Sequence, residues 1–279
     1  MTAVAADAAI IEPNHPVLTT IDLPLPHLSD AWDGFRIAQL SDFHFDPHFS
    51  VVPLRKAVET LNQLKPDLIV LTGDFVTVPA FSKAGQAKRS AANIEPCSEL
   101  LAQLHAPAGL LACLGNHDLG TDPVRITRTL HSRGIEMLRN ASLPLQREAS
   151  RLWLCGVDDV LEGHADLDLT LRGIPADEPV ILLAHEPDFA LEASRRRVDL
   201  QLSGHSHGGQ VRIPFLGAPY LPELGRKFPK GLYKIGPLTL YTNVGIGTIR
   251  IPVRFDCPPE ITLFTLRPLS ASAPARTVV

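Results

Sequence analysis

Leu202-Ser203-Gly204-His205-Ser206-His207-Gly208-Gly209-Gln210 sets two imidazoles two residues apart among glycines. An extended backbone aims both rings to one side, and glycine lets other backbone come close, so the stretch reads as half of a metal site. Two histidines are too few ligands for a transition metal, and the rest must come from elsewhere in the chain. Four polar clusters upstream each follow an apolar run: Asp42-Phe43-His44 after residues 37–40, Gly73-Asp74 after 68–71, Gly115-Asn116-His117-Asp118 after 110–114, and His185 after 180–183. Short apolar runs of this kind read as buried strands. In sheets flanked by helices, ligands collect beyond the carboxyl ends of the strands. A common site would therefore gather Asp42, His44, Asp74, Asn116, His117, His185, His205 and His207.

The chain around these clusters repeats a strand-loop-helix unit. Residues 35–40 predict a strand, and Ser50 is placed to cap a helix in which Leu54, Val58, Leu61 and Leu64 recur at helical spacing. Residues 67–72 and 109–114 predict further strands, and 98–104 and 123–132 predict helices. Residues 79–93 lose the apolar period and read as a mobile loop whose Lys83, Lys88 and Arg89 could meet a phosphate or simply face solvent. The second half is richer in strands, at 143–147, 151–157, 179–184, 199–203, 211–213, 232–235, 238–243 and 260–266, with one helix near 187–195. This order predicts an α/β (α+β) fold: two mixed sheets packed as a sandwich and flanked by helices. Residues 1–34 read as a Pro-rich arm with an edge strand near 17–23, 35–267 as the domain, and 268–279 as a disordered tail.

Composition bounds the partners. The 279 residues are 45% hydrophobic and 20% charged, enough to bury one sizeable core. A net charge of -4 without a basic run gives no footprint for duplex nucleic acid. No uncharged apolar run reaches the length of a membrane span, and residues 1–35 lack the basic start of a secretory signal. The expectation is a cytoplasmic protein without a transmembrane segment, with peripheral membrane contact left open. The four cysteines form no C-x-x-C pair and read as buried thiols.

Taken together, D-x-H, G-D, G-N-H-D, H and G-H-x-H stand in the order found in the calcineurin-like metallophosphoesterases, which the chain resembles from about residue 35 to 266. Gly208-Gly209-Gln210, Gly231-Leu232-Tyr233, Asn243-Val244-Gly245-Ile246-Gly247 and Pro252-Val253-Arg254-Phe255 are similar to a bacterial branch with broad-specificity phosphodiesterases and UDP-2,3-diacylglucosamine hydrolases. The resemblance implies one metal on Asp42, His44, Asp74 and His207, and a second on Asp74, Asn116, His185 and His205. It implies hydrolysis of a phosphodiester or phosphoanhydride, in a small or lipid-linked substrate, by metal-bound hydroxide. His117 would then donate to the leaving oxygen. Two divalent ions against two carboxylates and one hydroxide leave a charge of about +1 to attract phosphate. Mixed imidazole, carboxylate and amide ligands suit manganese first, with iron, zinc or cobalt also compatible.

Some branches carry a second Asp after G-D to orient the catalytic histidine. Here Thr77 follows Gly73-Asp74-Phe75-Val76, so Asp46 or Asp118 is left to orient His117, or to cap a loop instead. Arg250 and Arg254 could reach a substrate phosphate or lie at a strand edge. Residues 214–230 are apolar for a loop and adjoin the histidine pair; packing on the sheet edge is favoured over a lid for an apolar group. His15, His27, His48, His105, His131 and His164 read as surface histidines. The alternatives to a phosphodiesterase are a phosphomonoesterase or protein phosphatase and, in another class, a catalytically silent interaction scaffold.

Overall fold

The computed structural model describes residues 3–79 and 84–269. Among the described residues, twelve strands form two six-stranded mixed sheets. The first sheet holds β1 (Val17–Leu25), β2 (Arg36–Leu40), β3 (Leu68–Thr72), β4 (Leu110–Cys113), β5 (Ile135–Met137) and β12 (Glu260–Pro268), in the order β1-β12-β2-β3-β4-β5. The second holds β6 (Ala141–Arg147), β7 (Ser150–Gly156), β8 (Val180–Leu183), β9 (Leu200–Ser203), β10 (Gly231–Ile235) and β11 (Leu238–Thr242), in the order β10-β11-β9-β8-β7-β6. β2 to β5 run parallel, as do β7, β8, β9 and β11.

Strand side chains alternate between two apolar layers, as the pleat requires. Ile37, Leu68, Val70, Leu111 and Cys113 meet Leu154, Ile181, Leu183, Leu200 and Leu202 between the sheets. Ala38, Leu40, Ile69, Leu71 and Ala112 turn outward under the helices Val51–Leu64, Ile94–Leu101 and Pro123–Ser132. A third cluster covers the outer face of the second sheet with Phe189, Ala190 and Ala193. Helices thus lie outside both sheets, and parallel strands of each sheet end on the same side.

One polar stitch fixes how those ends meet. Gln39, fully buried between the sheets, donates from Nε2 to Thr72 Oγ1 (2.9 Å) and to the Ser203 carbonyl (2.9 Å). β2, β3 and β9 are thereby tied together at the level where their polar clusters begin.

Several sequence expectations need correction. Of the predicted loop 79–93, residues 84–90 are helical (Ala84–Ser90), a turn the polar composition hid; Lys83 lies outside the described residues. The helix expected at 98–104 is Ile94–Leu101, begun before Pro96 by a turn of 3-10 helix. Residues 211–213 form no strand, only lone bridges from Val211 to Phe255 and from Ile213 to Gly217. Ser50 precedes its helix but makes no cap bond; its hydroxyl accepts from the Asp46 amide (3.0 Å) and donates to the His44 carbonyl. β5 and the short helix Leu167–Thr170 were not anticipated. In the Pro-rich opening, residues 3–14 make helical turns that bury Ala8 and Pro13, and β1 pairs with β12 in parallel with Pro24 on the sheet's edge. Residues 270–279 lie outside the described residues.

Arg254 does not face a substrate. It is 0% exposed and donates to the carbonyls of Val244, Gly245, Gly247 and Cys257, pinning the 244–247 loop against the β2 end. Arg254→Leu would strand those carbonyls, and a loss of about 3 kcal/mol or more is expected. The check is a lower denaturant midpoint at unchanged slope; an unchanged midpoint would contradict this role.

Candidate metal centre

Five loops converge where the parallel strands end. Asp42 and His44 follow β2, Asp74 follows β3, Asn116 and His117 follow β4, His185 follows β8, and His205 and His207 follow β9. Backbone bonds stitch these loops beyond the sheets: Asp42 N to Gly73 O (3.0 Å), His44 N to Asp74 O (2.9 Å) and Gly204 N to His185 O (3.0 Å). The crossing is tight at Gly204, where a Cβ would overlap Ser41 Oγ and Asp42 Oδ2, and at Gly115, where it would overlap Asp74 Oδ1. Asp42, His44, Asp74, His205 and His207 all have positive φ, between 38° and 67°. Non-glycine residues are held in that region only where surroundings over-determine them, and such residues concentrate at functional sites.

The histidine pair is therefore not extended, as the sequence reading assumed. A turn at Ser206 sends its two rings to different neighbours. His207 Nε2 is 3.3 Å from Asp42 Oδ1, whereas His205 joins Asp74 and His185. Asp74 Oδ2 lies 3.3 Å from His44 Nε2 and 3.1 Å from His185 Nε2. Asn116 Oδ1 is 3.1 Å from His205 Nδ1. Three groups of metal-competent atoms result: Asp42, His44 and His207; His44, Asp74 and His117; and Asp74, His185 and His205. All eight anticipated residues thus share one cluster or border it.

The atoms present fit a divalent cation. Ligand atoms about 2.1 Å from one ion stand about 3.0 to 3.4 Å apart at right-angle to tetrahedral geometry, the range of the carboxylate–imidazole distances above. His44 Nε2, His185 Nε2 and both ring nitrogens of His207 are buried without a hydrogen-bond partner, a state that costs free energy unless something binds there. Three of the rings are held on their far sides. His44 Nδ1 meets Thr77 Oγ1 (3.0 Å), His185 Nδ1 the Thr72 carbonyl (2.6 Å) and His205 Nε2 the Glu223 carbonyl (2.7 Å). Such outer partners fix ring orientation and leave the opposite nitrogen for a metal.

Neither Asp46 nor Asp118 orients His117. Its Nδ1 accepts the Val78 amide at 2.9 Å, which leaves Nε2 as the free ring nitrogen. Asp118 instead clamps loops, accepting the amides of Asp74, Phe75, Val76 and Gly115, and Asp46 accepts the His48 amide. Thr77, standing near where some branches have a second Asp, supports His44. The Glu223 and Thr72 carbonyls and the Val78 amide had no signal in side-chain identity, since each acts through its backbone.

Electrostatics favour a charged carboxylate pair beside neutral His117, His205 and His207 rings. Burial pushes Asp42 and Asp74 up, yet His207 and His185 beside Asp42, and His185 and His117 beside Asp74, hold both below the ordinary carboxylate range. Burial pulls His117 and His207 down to about 4 and, with His185 nearby, lowers His205. His185 moves the other way: burial opposes it, but Asp74 raises it well above its usual value.

The cluster floors a cleft of about 480 Å³ whose outer walls include Leu161, Pro219, Tyr220, Ile249, Arg250 and Ile251. Arg250 stacks its guanidinium over Tyr220 at 5.0 Å. Lys88 and Arg89 do not line it. Among the surface histidines, His27 pairs with Asp199 and His131 with Glu136, away from the cluster. All four cysteines are buried and free.

The profile of the calcineurin-like phosphoesterases matches residues 35–209, which contain all five clusters. The chain belongs to that family. This calcineurin-like phosphoesterase is 38% identical over 245 residues to the Bacillus subtilis protein named uncharacterized metallophosphoesterase YkuE, covering 87% of this chain and 82% of that one. It is 32% identical to phosphodiesterase YaeI of Escherichia coli, covering 83% and 82%. It is 26% identical to UDP-2,3-diacylglucosamine pyrophosphatase LpxG of Chlamydia muridarum, covering 91% and 90%. Membership makes the chain a metal-dependent phosphoric ester hydrolase. No helix among the described residues is long and apolar enough to cross a membrane.

Burial and Asp74 push the Asp118 carboxyl up, against the pull of the amides that both its oxygens accept. Asp118→Asn would turn an NH2 toward amide donors on one side, with an expected loss of about 2 kcal/mol and weaker metal retention as the Asp74 loop loosens. Thermal unfolding and metal content of the variant check this; wild-type values for both would refute the clamp.

Proposed function

We propose that the chain is a dinuclear phosphoesterase that cleaves a phosphodiester or phosphoanhydride in a small or lipid-linked substrate. One observation carries the reading: a single carboxylate oxygen, Asp74 Oδ2, stands between His44 on one side and His185 on the other, the position of a bridge. Asp42, His44, Asp74 and His207 would hold one ion, and Asp74, Asn116, His185 and His205 the other. Bound there, two divalent ions would acidify a water molecule and stabilise charge on the phosphoryl oxygens. Manganese is the first ion to try, with iron, zinc and cobalt next.

The chain's own groups do the rest. Asp42 and Asp74 offset part of the metal charge, so an anionic phosphate is still attracted. The Val78 amide occupies His117 Nδ1, so His117 presents Nε2–H to the leaving oxygen and steadies its charge. The cleft beyond has room for a substituent on the phosphate. The Escherichia coli and Chlamydia relatives, named a phosphodiesterase and a pyrophosphatase, point to a diester or anhydride.

Metal-stripped protein supplied with Mn should cleave bis(p-nitrophenyl) phosphate faster than p-nitrophenyl phosphate, and Asp74→Ala should abolish both. Cleavage of the monoester alone would replace the diester reading with a phosphomonoesterase, and bound metal without any hydrolysis would favour a silent scaffold. His117→Ala should retain metal while turnover falls by about 10²-fold or more. If that variant lost metal instead, His117 would be a ligand rather than a donor.

A further inference from the structure

The segment after the histidine pair divides into a packed base and a bare tip. At the base, Phe228 packs on Tyr233, and Asp188 accepts the Lys227 and Phe228 amides. The Glu223 carbonyl meanwhile holds His205. The tip is a tight turn closed by Ile213 and Gly217, each donating its amide to the other's carbonyl (2.8 and 2.9 Å). It carries Phe215 at 108% and Leu216 at 80% exposure. Phe215 adopts φ +67°, a conformation costly for a bulky residue. Ile213, Tyr220 and Ile251 beside this tip are exposed as well, and Tyr220 and Ile251 also wall the metal cleft. An apolar rim therefore runs from a protruding tip to the mouth of the candidate centre, larger than the scattered single residues normal on a surface.

Its charge reverses that of the molecule. The chain carries -4 overall, yet between 211 and 230 it has Arg212, Arg226, Lys227 and Lys230 against the single carboxylate of Glu223. Arg226, Lys227, Lys230 and Arg250 are exposed. Apolar side chains flanked by cations suit a surface with an apolar interior and anionic headgroups. Protein interfaces, by contrast, are depleted in lysine.

We propose that this rim docks on an anionic lipid surface, with Phe215 and Leu216 entering the acyl boundary and the cations meeting headgroup phosphates. Docked this way, the cleft opens at headgroup level and takes a phosphoester that resides in the membrane. That second consequence rests on the phosphoesterase reading; the docking does not.

The full chain is sedimented with phosphatidylcholine vesicles with and without phosphatidylglycerol. Binding to the mixed vesicles only, released by salt, is expected. Phe215→Asp with Leu216→Asp, at positions outside the cleft lining, should weaken that binding by about tenfold or more while hydrolysis of a soluble diester stays unchanged. Arg226→Glu with Lys227→Glu should weaken it independently and leaves the apolar tip untouched. Equal binding to phosphatidylcholine alone, or undiminished binding by both double variants, would overturn the proposal. So would absence of vesicle binding together with a concentration-dependent dimer that the Phe215/Leu216 variant abolishes, which would place a second copy of the chain on this face. Vesicle binding is read without turnover, so a protein that binds yet cleaves no diester supports the docking and fails only the phosphoesterase reading.

Discussion

Asp74 lies buried with one carboxylate oxygen between the rings of His44 and His185 and the other accepting the His117 amide at 2.9 Å. Asp42 is buried beside it, its two oxygens accepting the His205 amide at 2.9 and 3.0 Å. Carboxylates taken out of water need compensating positive charge or donors, and here each is met by rings and amides from loops after other strands. The two sheets must therefore end together on one side, and the buried Gln39 that ties β2 and β3 to β9 serves that requirement. The clamp made by Asp118 and the seat made by Arg254 hold the same loops from behind.

Much of this was legible in the sequence because ligands must be side chains of a few types. Apolar runs fixed the strands, and Asp42, His44, Asp74, Asn116, His117, His185, His205 and His207 announced themselves by standing where those runs stop. What stayed hidden was carried by backbone. The Val78 amide on His117, the Glu223 carbonyl on His205 and the Thr72 carbonyl on His185 leave no mark in residue type. The conformation of the His205–His207 pair was misread for the same reason, since alternation predicts side-chain direction only where the backbone is extended. For Arg254 the sequence leaves a substrate phosphate and a solvent-facing strand edge both open, and neither holds, because the side chain is buried and its donors are consumed by carbonyls. The helix at residues 84–90 was missed because its polar sequence has too little apolar periodicity to announce a buried face.

Rigidity and exposure are divided across the molecule. The strands and ligand-bearing loops are closely packed and stitched by hydrogen bonds, which preorganises a metal centre before any substrate arrives. The cleft's outer wall is built differently, from Tyr220, Ile251 and the loop that carries Phe215. The same loop reaches inward through Glu223 to His205. Whatever contacts the tip is thus joined by a short covalent path to a support of the proposed second metal position.

In the proposed centre the five loops build two metal positions sharing Asp74. Counting metal per chain after Mn reconstitution and removal of excess ion, by elemental analysis, tests it most directly. Two equivalents in the wild-type protein is the predicted result. A limit of one equivalent, with His44 and His185 competing for the same ion, would contradict a shared bridge and reduce the site to a mononuclear centre.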